Sequence, residues 1–172
     1  AINFTKLDHF NGLHIRSLEQ DDLARRLVPF FERAGYRVDV DKLQQIIPIL
    51  QERIGTLEEG PEMAGFFFEE NVSPAPQDLI AKGMSAQQSA DAARLSLEVL
   101  SRLPEIGPET AEEPMRELVA ELGFSAGQVF GILRVAVTGR KVSPPLFESM
   151  QIIGREKVLD RLERAIRLLE NA

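Results

Sequence analysis

Apolar residues return every three or four positions in one segment after another. The sets are Leu23, Leu27, Phe30, Phe31 and Ala34; Leu43, Ile46, Ile47, Leu50 and Ile54; Ala93, Leu97, Leu100 and Leu103; Met115, Leu118, Val119 and Leu122; Val129, Ile132, Leu133 and Ala136; and Val158, Leu159, Leu162, Ala165, Ile166 and Leu169. That period gathers each set on one face of an α-helix. Leu, Ala, Glu and Arg dominate the chain and favour the same structure. The expected fold class is all-α. A chain of 172 residues is long enough for a real core and sits at the boundary between one domain and two. Residues 71–77 (NVSPAPQ) carry two prolines and no period, which reads as a linker. The expected subdomains are therefore 1–72, with its preceding turn segment, and 73–172.

Local signals place the helix ends. Ser17 with Gln20, Thr56 with Glu59, and Ser85 with Gln88 have capping-box spacing, and Asp41 and Ser125 are further N-caps. Gly35, Gly139 and Gly154 follow apolar stripes as stops. Pro29 is expected to kink its helix, and Pro48 lies inside the next. Residues 6–16 (KLDHFNGLHIR) hold Asn11-Gly12, a strong turn signal, flanked by His9 and His14. Of the consecutive Phe66, Phe67 and Phe68, two should bury, because three cannot share one helix face.

Several functions are excluded or weakened by what the chain lacks. Without cysteine there are no disulfides, thiolate metal sites or cysteine nucleophiles, and a reducing cytoplasmic location fits. No apolar run reaches the roughly 20 residues that span a bilayer, so no membrane partner is expected. The N-terminus has no signal-peptide centre, and Ala1 in place of Met reads as a trimmed fragment. Two histidines without a third ligand make a poor metal site. Glu109, Glu112, Glu113 and Glu117 read as a solvated helix face. No phosphate-binding glycine loop, nucleophile triad or nucleotide motif is present. No residue is assigned as catalytic or metal-binding.

The charge is uneven. Net charge is −7 overall, yet residues 131–172 hold eight cations against five anions. A polyanion would meet that end and be repelled by the rest. Residues 125–147 (SAGQVFGILRVAVTGRKVSPPLF) hold its most distinctive part: a capped apolar helix, the stop at Gly139, the cations Arg140 and Lys141, then Pro144 and Pro145, which hold the chain extended and remove two N–H donors. With Arg134 among the apolar positions, three cations border a stiff loop that suits a nucleic acid. A helix-loop-helix with solvated cations serves the same spacing, and spacing by itself ranks that reading first. Beyond the loop, Arg155, Lys157, Arg161, Arg164 and Arg167 are expected along the polar side of the last helix.

Three stretches together resemble the C-terminal part of bacterial glutamyl-tRNA synthetases: 6–16 (KLDHFNGLHIR), 49–59 (ILQERIGTLEE) and 133–165 (LRVAVTGRKVSPPLFESMQIIGREKVLDRLERA). The resemblance covers nearly the whole chain and implies two small helical subdomains forming a class I synthetase anticodon-binding helix cage. It implies tRNA as partner, with the glutamate tRNA anticodon loop bound, together with the rest of the parent synthetase. ATP and Mg2+ would belong to a catalytic domain absent from this chain, which would hold no cofactor and be inactive alone. By position, Arg53 matches the arginine that reads the third anticodon base, Arg134 another anticodon-contacting arginine, and Ser143, Pro144 and Leu146 the loop around the remaining bases. Arg140 and Lys141 are left as phosphate contacts. His9 and His14 depart from the family, where an aromatic and a tyrosine are common. An arginine at position 53 would favour glutamate tRNA over glutamine tRNA. The competing expectation is a helical protein-interaction module without an RNA role, and the oligomeric state is left open.

Overall fold

The computed structural model describes the backbone of residues 4–172 and the side chains of residues 11–172. Among the described residues all regular structure is helical, in the order α1 (Phe4–Ser17), α2 (Gln20–Arg33), α3 (Val40–Leu50), α4 (Glu59–Ala64), α5 (Ala86–Ser101), α6 (Pro108–Leu122), α7 (Ala126–Thr138), α8 (Leu146–Ile153) and α9 (Arg155–Glu170). Short 3-10 turns form at Gln51–Arg53, Gly65–Phe68 and Pro76–Leu79. The fold is all-α, as the apolar periodicity requires. The chain forms two compact units, Ala1–Glu70 and Asn71–Ala172.

In the first unit α2, α3 and α4 pack on one another around Leu23, Leu27, Phe31, Leu43, Ile46, Ile47 and Leu50, all fully buried. Each such side chain contributes roughly 1.5–3 kcal/mol relative to leaving it exposed. Phe66 and Phe67 bury and Phe68 meets Phe31 edge-on at 5.4 Å, so two of the three consecutive rings are interior. The turn expected at Asn11-Gly12 does not form, because both residues lie inside α1. Glycine costs a helix only about 1 kcal/mol. Ile15 is buried, and Gln51 Nε2 donates to the carbonyls of Ile15 and Leu18 at 2.9 Å each, fixing the end of that helix from elsewhere in the fold. His14 is exposed, while the His9 side chain lies outside the described residues.

Three expected caps also shift. Ser17 Oγ donates to the His14 carbonyl at 2.6 Å, and Glu19 opens α2 without a side-chain cap. Asp39 rather than Asp41 caps α3 by accepting from Lys42 N–H at 3.3 Å. Glu59 accepts from Gly55 N–H at 2.9 Å, one residue before Thr56. Both α2 and α3 continue through their prolines.

In the second unit α5 presents a narrow buried face, including Ser89, Ala90, Ala92, Ala93 and Ser96, and packs along α9. Its hydroxyls are satisfied locally: Ser96 Oγ donates to the Ala92 carbonyl at 2.7 Å, and Ser89 Oγ accepts from Ala81 N–H at 3.2 Å. Arg94 bridges to Asp91 on α5 and, at 2.6 Å, to Glu170 on α9. Hydrogen bonding to Asp91, and then to Glu170, holds its guanidinium above the usual arginine range against the opposing effect of desolvation. Residues 71–82 are not a bare tether. Leu79 is fully buried, and the Pro76–Leu79 turn packs against α7 and α9.

Arg161 corrects the reading of α9. It is 3% exposed and belongs to the same buried face as Val158, Leu162 and Ala165. Its Nη1 donates to the Val137 carbonyl at 2.8 Å, a partner supplied by another helix.

Candidate nucleic-acid interface

Helix α7 is fixed at both ends by its own sequence. Ser125 Oγ accepts from Gln128 N–H at 3.1 Å and Gln128 Oε1 accepts from Ser125 N–H at 2.9 Å, closing a capping box. At the other end Gly139 has φ +73°, where a side chain would be strained, and its N–H donates to the Val135 carbonyl at 2.8 Å. Val129, Ile132, Leu133 and Ala136 are buried, so the apolar stripe holds the helix down.

The loop 139–145 leaves this helix and enters α8. Arg134 Nη1 reaches across it, donating to Ser143 Oγ and, at 2.9 Å, to the Pro144 carbonyl. Ser143 Oγ also donates to the Pro144 carbonyl at 2.8 Å. At the loop's root, Thr138 Oγ1 donates to the Arg134 carbonyl at 2.6 Å and accepts from Arg140 N–H at 3.1 Å. The backbone is thus held from the helix side rather than left mobile. Pro144 is buried and Leu146 is 5% exposed, so these two shape the loop from within. Phe147 meets Phe130 edge-on at 5.3 Å beneath them.

What the loop presents outward is different in kind. Lys141 is exposed, with Nζ 3.3 Å from an Asp78 carboxylate oxygen, and Val142 beside it is 67% exposed. Arg134, Arg140 and Ser143 are half-buried. Next to the loop lies a cleft of about 520 Å³ lined by Asp78, Lys82, Gln128, Gly131 and Lys141. Gln128 Nε2 donates to the Lys82 carbonyl at 2.9 Å across one end of it. A Cβ at Gly131 would meet nothing within 4 Å, so the α7 backbone stands bare there.

Arg53 belongs to the first unit. It ends the Gln51–Arg53 turn after α3, is exposed, and donates from Nη1 to the Ile49 carbonyl at 2.9 Å. That contact suits a cation at a helix C-terminus. Arg134, Ser143, Pro144, Leu146, Arg140 and Lys141 are brought together in the second unit.

Chemically the loop offers a guanidinium, a hydroxyl, two further cations and an apolar tip on a braced backbone. Guanidinium and apolar faces can stack on unpaired bases, and the cations suit phosphates. Among the described residues no group of three His, Asp or Glu could hold a metal ion, and no helix is long and apolar enough to cross a membrane. Asp78 carries no signal at the level of sequence, because its partner Lys141 is 63 positions away. Val142 and Thr138 were visible only as loop and helix-end residues.

Comparison with known proteins agrees with this architecture. The chain is 39% identical over 169 residues to a glutamate-tRNA ligase of Dehalococcoides mccartyi, an alignment covering 95% of this chain and 35% of that protein. It is 39% identical over 178 residues to one of Chloroflexus aurantiacus, covering 98% and 35%. The chain therefore spans about a third of the length of these relatives. Among solved structures, a glutamate tRNA ligase of Elizabethkingia meningosepticum in complex with its amino acid shares the fold with a TM-score of 0.75 at 22% identity, covering 93% of this chain and 31% of that one. The glutamate-tRNA synthetase of Elizabethkingia anophelis gives 0.73 at 20%, covering 96% and 32%. A family profile described as an anticodon binding domain matches residues 22–166, and on that match the chain belongs to the anticodon binding domain family.

Proposed function

We propose that this chain is the anticodon-reading part of a glutamate-tRNA ligase, the class of enzyme that joins glutamate to its tRNA with ATP. The observation that carries the reading is the braced loop 139–145, where Arg134 holds Ser143 and Pro144, Arg140 is half-buried, and Lys141 and Val142 face outward. The family match and the named relatives support the same partner. In this reading Arg134 and Ser143 meet the edges of unpaired anticodon bases, and Pro144 and Leu146 set the shape of the pocket that receives them. Arg140 and Lys141 steer phosphates. Arg53 on the first unit reads the third base and favours glutamate tRNA over glutamine tRNA. Activation of glutamate with ATP and Mg2+ is assigned to a separate catalytic region, and the location is cytoplasmic.

The direct test is binding of a hairpin RNA carrying the glutamate anticodon loop, against the same stem with an unrelated loop. Selective, salt-sensitive binding is expected. Equal binding of both hairpins would remove the reading in favour of a helical module that docks on protein. Glutamate-dependent exchange between pyrophosphate and ATP should be absent from the chain alone.

A further inference from the structure

Arg161 is a cation in a place where packing asks for a hydrocarbon. It is 3% exposed, on the α9 face that carries Val158, Leu162 and Ala165 into the core. Removing a guanidinium from water is costly, and an apolar side chain of similar volume often stabilises such a site as well or better. Its contribution must therefore be sought in what it holds. Nη1 donates at 2.8 Å to the carbonyl of Val137, within the last turn of α7, where carbonyls lack intrahelical partners.

The neighbouring carbonyls of that turn are fixed as well. Val135 accepts from Gly139 N–H at 2.8 Å, and Arg134 accepts from Thr138 Oγ1 at 2.6 Å. From there the hydrogen bonds continue into the loop. Thr138 Oγ1 accepts from Arg140 N–H at one root, and Arg134 Nη1 donates to Ser143 Oγ and the Pro144 carbonyl at the other. Ser149 Oγ, inside α8, closes the series on the same Pro144 carbonyl at 3.4 Å. The Arg161 contact and the loop's own polar contacts are thus joined through the Val137–Thr138 peptide, from the α9 core to both ends of the loop.

We infer that Arg161 is a positioning residue for base discrimination. It sets the end of α7, and through Thr138 and Arg134 the register at which the loop meets an RNA base, without itself touching RNA. The inference rests on the anticodon-reading function proposed above. Buried polar groups act in this way in some proteins by fixing one conformation among several of similar energy, and base discrimination is the property most sensitive to such a choice. General attraction to phosphate depends instead on the surface cations and would be left in place.

The test compares the wild-type chain, Arg161→Met and Thr138→Val, which cuts the next link while conserving volume. Each is first shown to be folded by circular dichroism. The dissociation constant is then measured for a hairpin with the glutamate anticodon loop and for the same hairpin with its middle anticodon base replaced, at two salt concentrations. The ratio of the two constants should fall about fivefold or more in both variants, with the salt dependence of binding unchanged. Thr138→Ser, which keeps the hydroxyl, should restore the wild-type ratio.

A wild-type chain that fails to distinguish the hairpins would remove the RNA reading itself. Wild-type discrimination that survives in the folded variants would overturn only the positioning role. If Arg161→Met does not fold, Thr138→Val decides alone. Loss of folding in both assigns the contacts to stability and also overturns the inference.

Discussion

Asp78 and Lys141 form an ion pair, Nζ to carboxylate oxygen 3.3 Å, so the most exposed cation of the loop is already shared with the Pro76–Leu79 turn of the same unit. The pair lies at the surface, where such contacts contribute about 0–1 kcal/mol to stability. Its larger effect is on the local potential met by a polyanion. Asp78→Asn is expected to leave the melting temperature nearly unchanged and to tighten hairpin RNA binding about two- to fivefold at low salt, with the gain fading as salt screens the site. Fluorescence anisotropy across a salt series reads it directly. Unchanged or weakened binding at low salt would contradict the proposed place of Lys141 beside phosphate.

Arg140 and Lys141 should behave as phosphate contacts. Replacing either with alanine is expected to weaken binding of different hairpin sequences about equally and to lower the slope of log affinity against log salt by roughly 0.7–0.9. A variant that changes the preference between hairpins while keeping the slope would move that residue into base recognition.

Val142 is 67% exposed, so it contributes little to the core and its replacement should stay within about 0.5 kcal/mol of wild-type stability. At the loop's tip an introduced carboxylate would face the RNA. Val142→Asp is expected to reduce hairpin affinity about tenfold without shifting the thermal transition, a cost on the order of 1.4 kcal/mol. Full affinity would place the RNA elsewhere on the unit.

Gly65 supports the first unit by having no side chain. A Cβ there would stand 2.3 Å from the Tyr36 ring, whose hydroxyl donates to Glu69 at 3.1 Å. Gly65→Ala must displace that ring and should cost roughly 1–3 kcal/mol, read in thermal or denaturant unfolding. Combined with Tyr36→Ala, the loss should be smaller than the sum of the two single losses, since the obstacle is then gone.

Signals that close within a few residues were legible in the sequence. Ser85–Gln88 and Ser125–Gln128 form their capping boxes because both halves of each lie within one turn. Signals that another part of the fold could capture were not. Ser17 is taken by the His14 carbonyl, Glu59 by Gly55, and the end of α1 by Gln51, which erases the Asn11-Gly12 turn. The same limit governs the candidate site. Arg134, Arg140 and Lys141 announced a basic loop by composition, but the buried position of Arg161 depends on α7, and the burial of Leu146 depends on the packing of α8. A single helical period does not decide which cation lies just inside the apolar arc.

The paired prolines have a further chemical consequence. At positions 144 and 145 the chain carries carbonyl oxygens and no N–H, so that strip of main chain can receive hydrogen bonds and cannot give them. The Pro144 oxygen is already taken up by Arg134, Ser143 and Ser149, and the Pro145 oxygen accepts from Ser149 N–H at 2.9 Å. With no hydrogen to give and both oxygens occupied, this strip of main chain leaves polar contacts with a partner to side chains. Any discrimination at this edge of the loop would therefore rest on side chains, and a change of Pro145 to a residue with an amide proton would add a main-chain donor without altering the loop's charge.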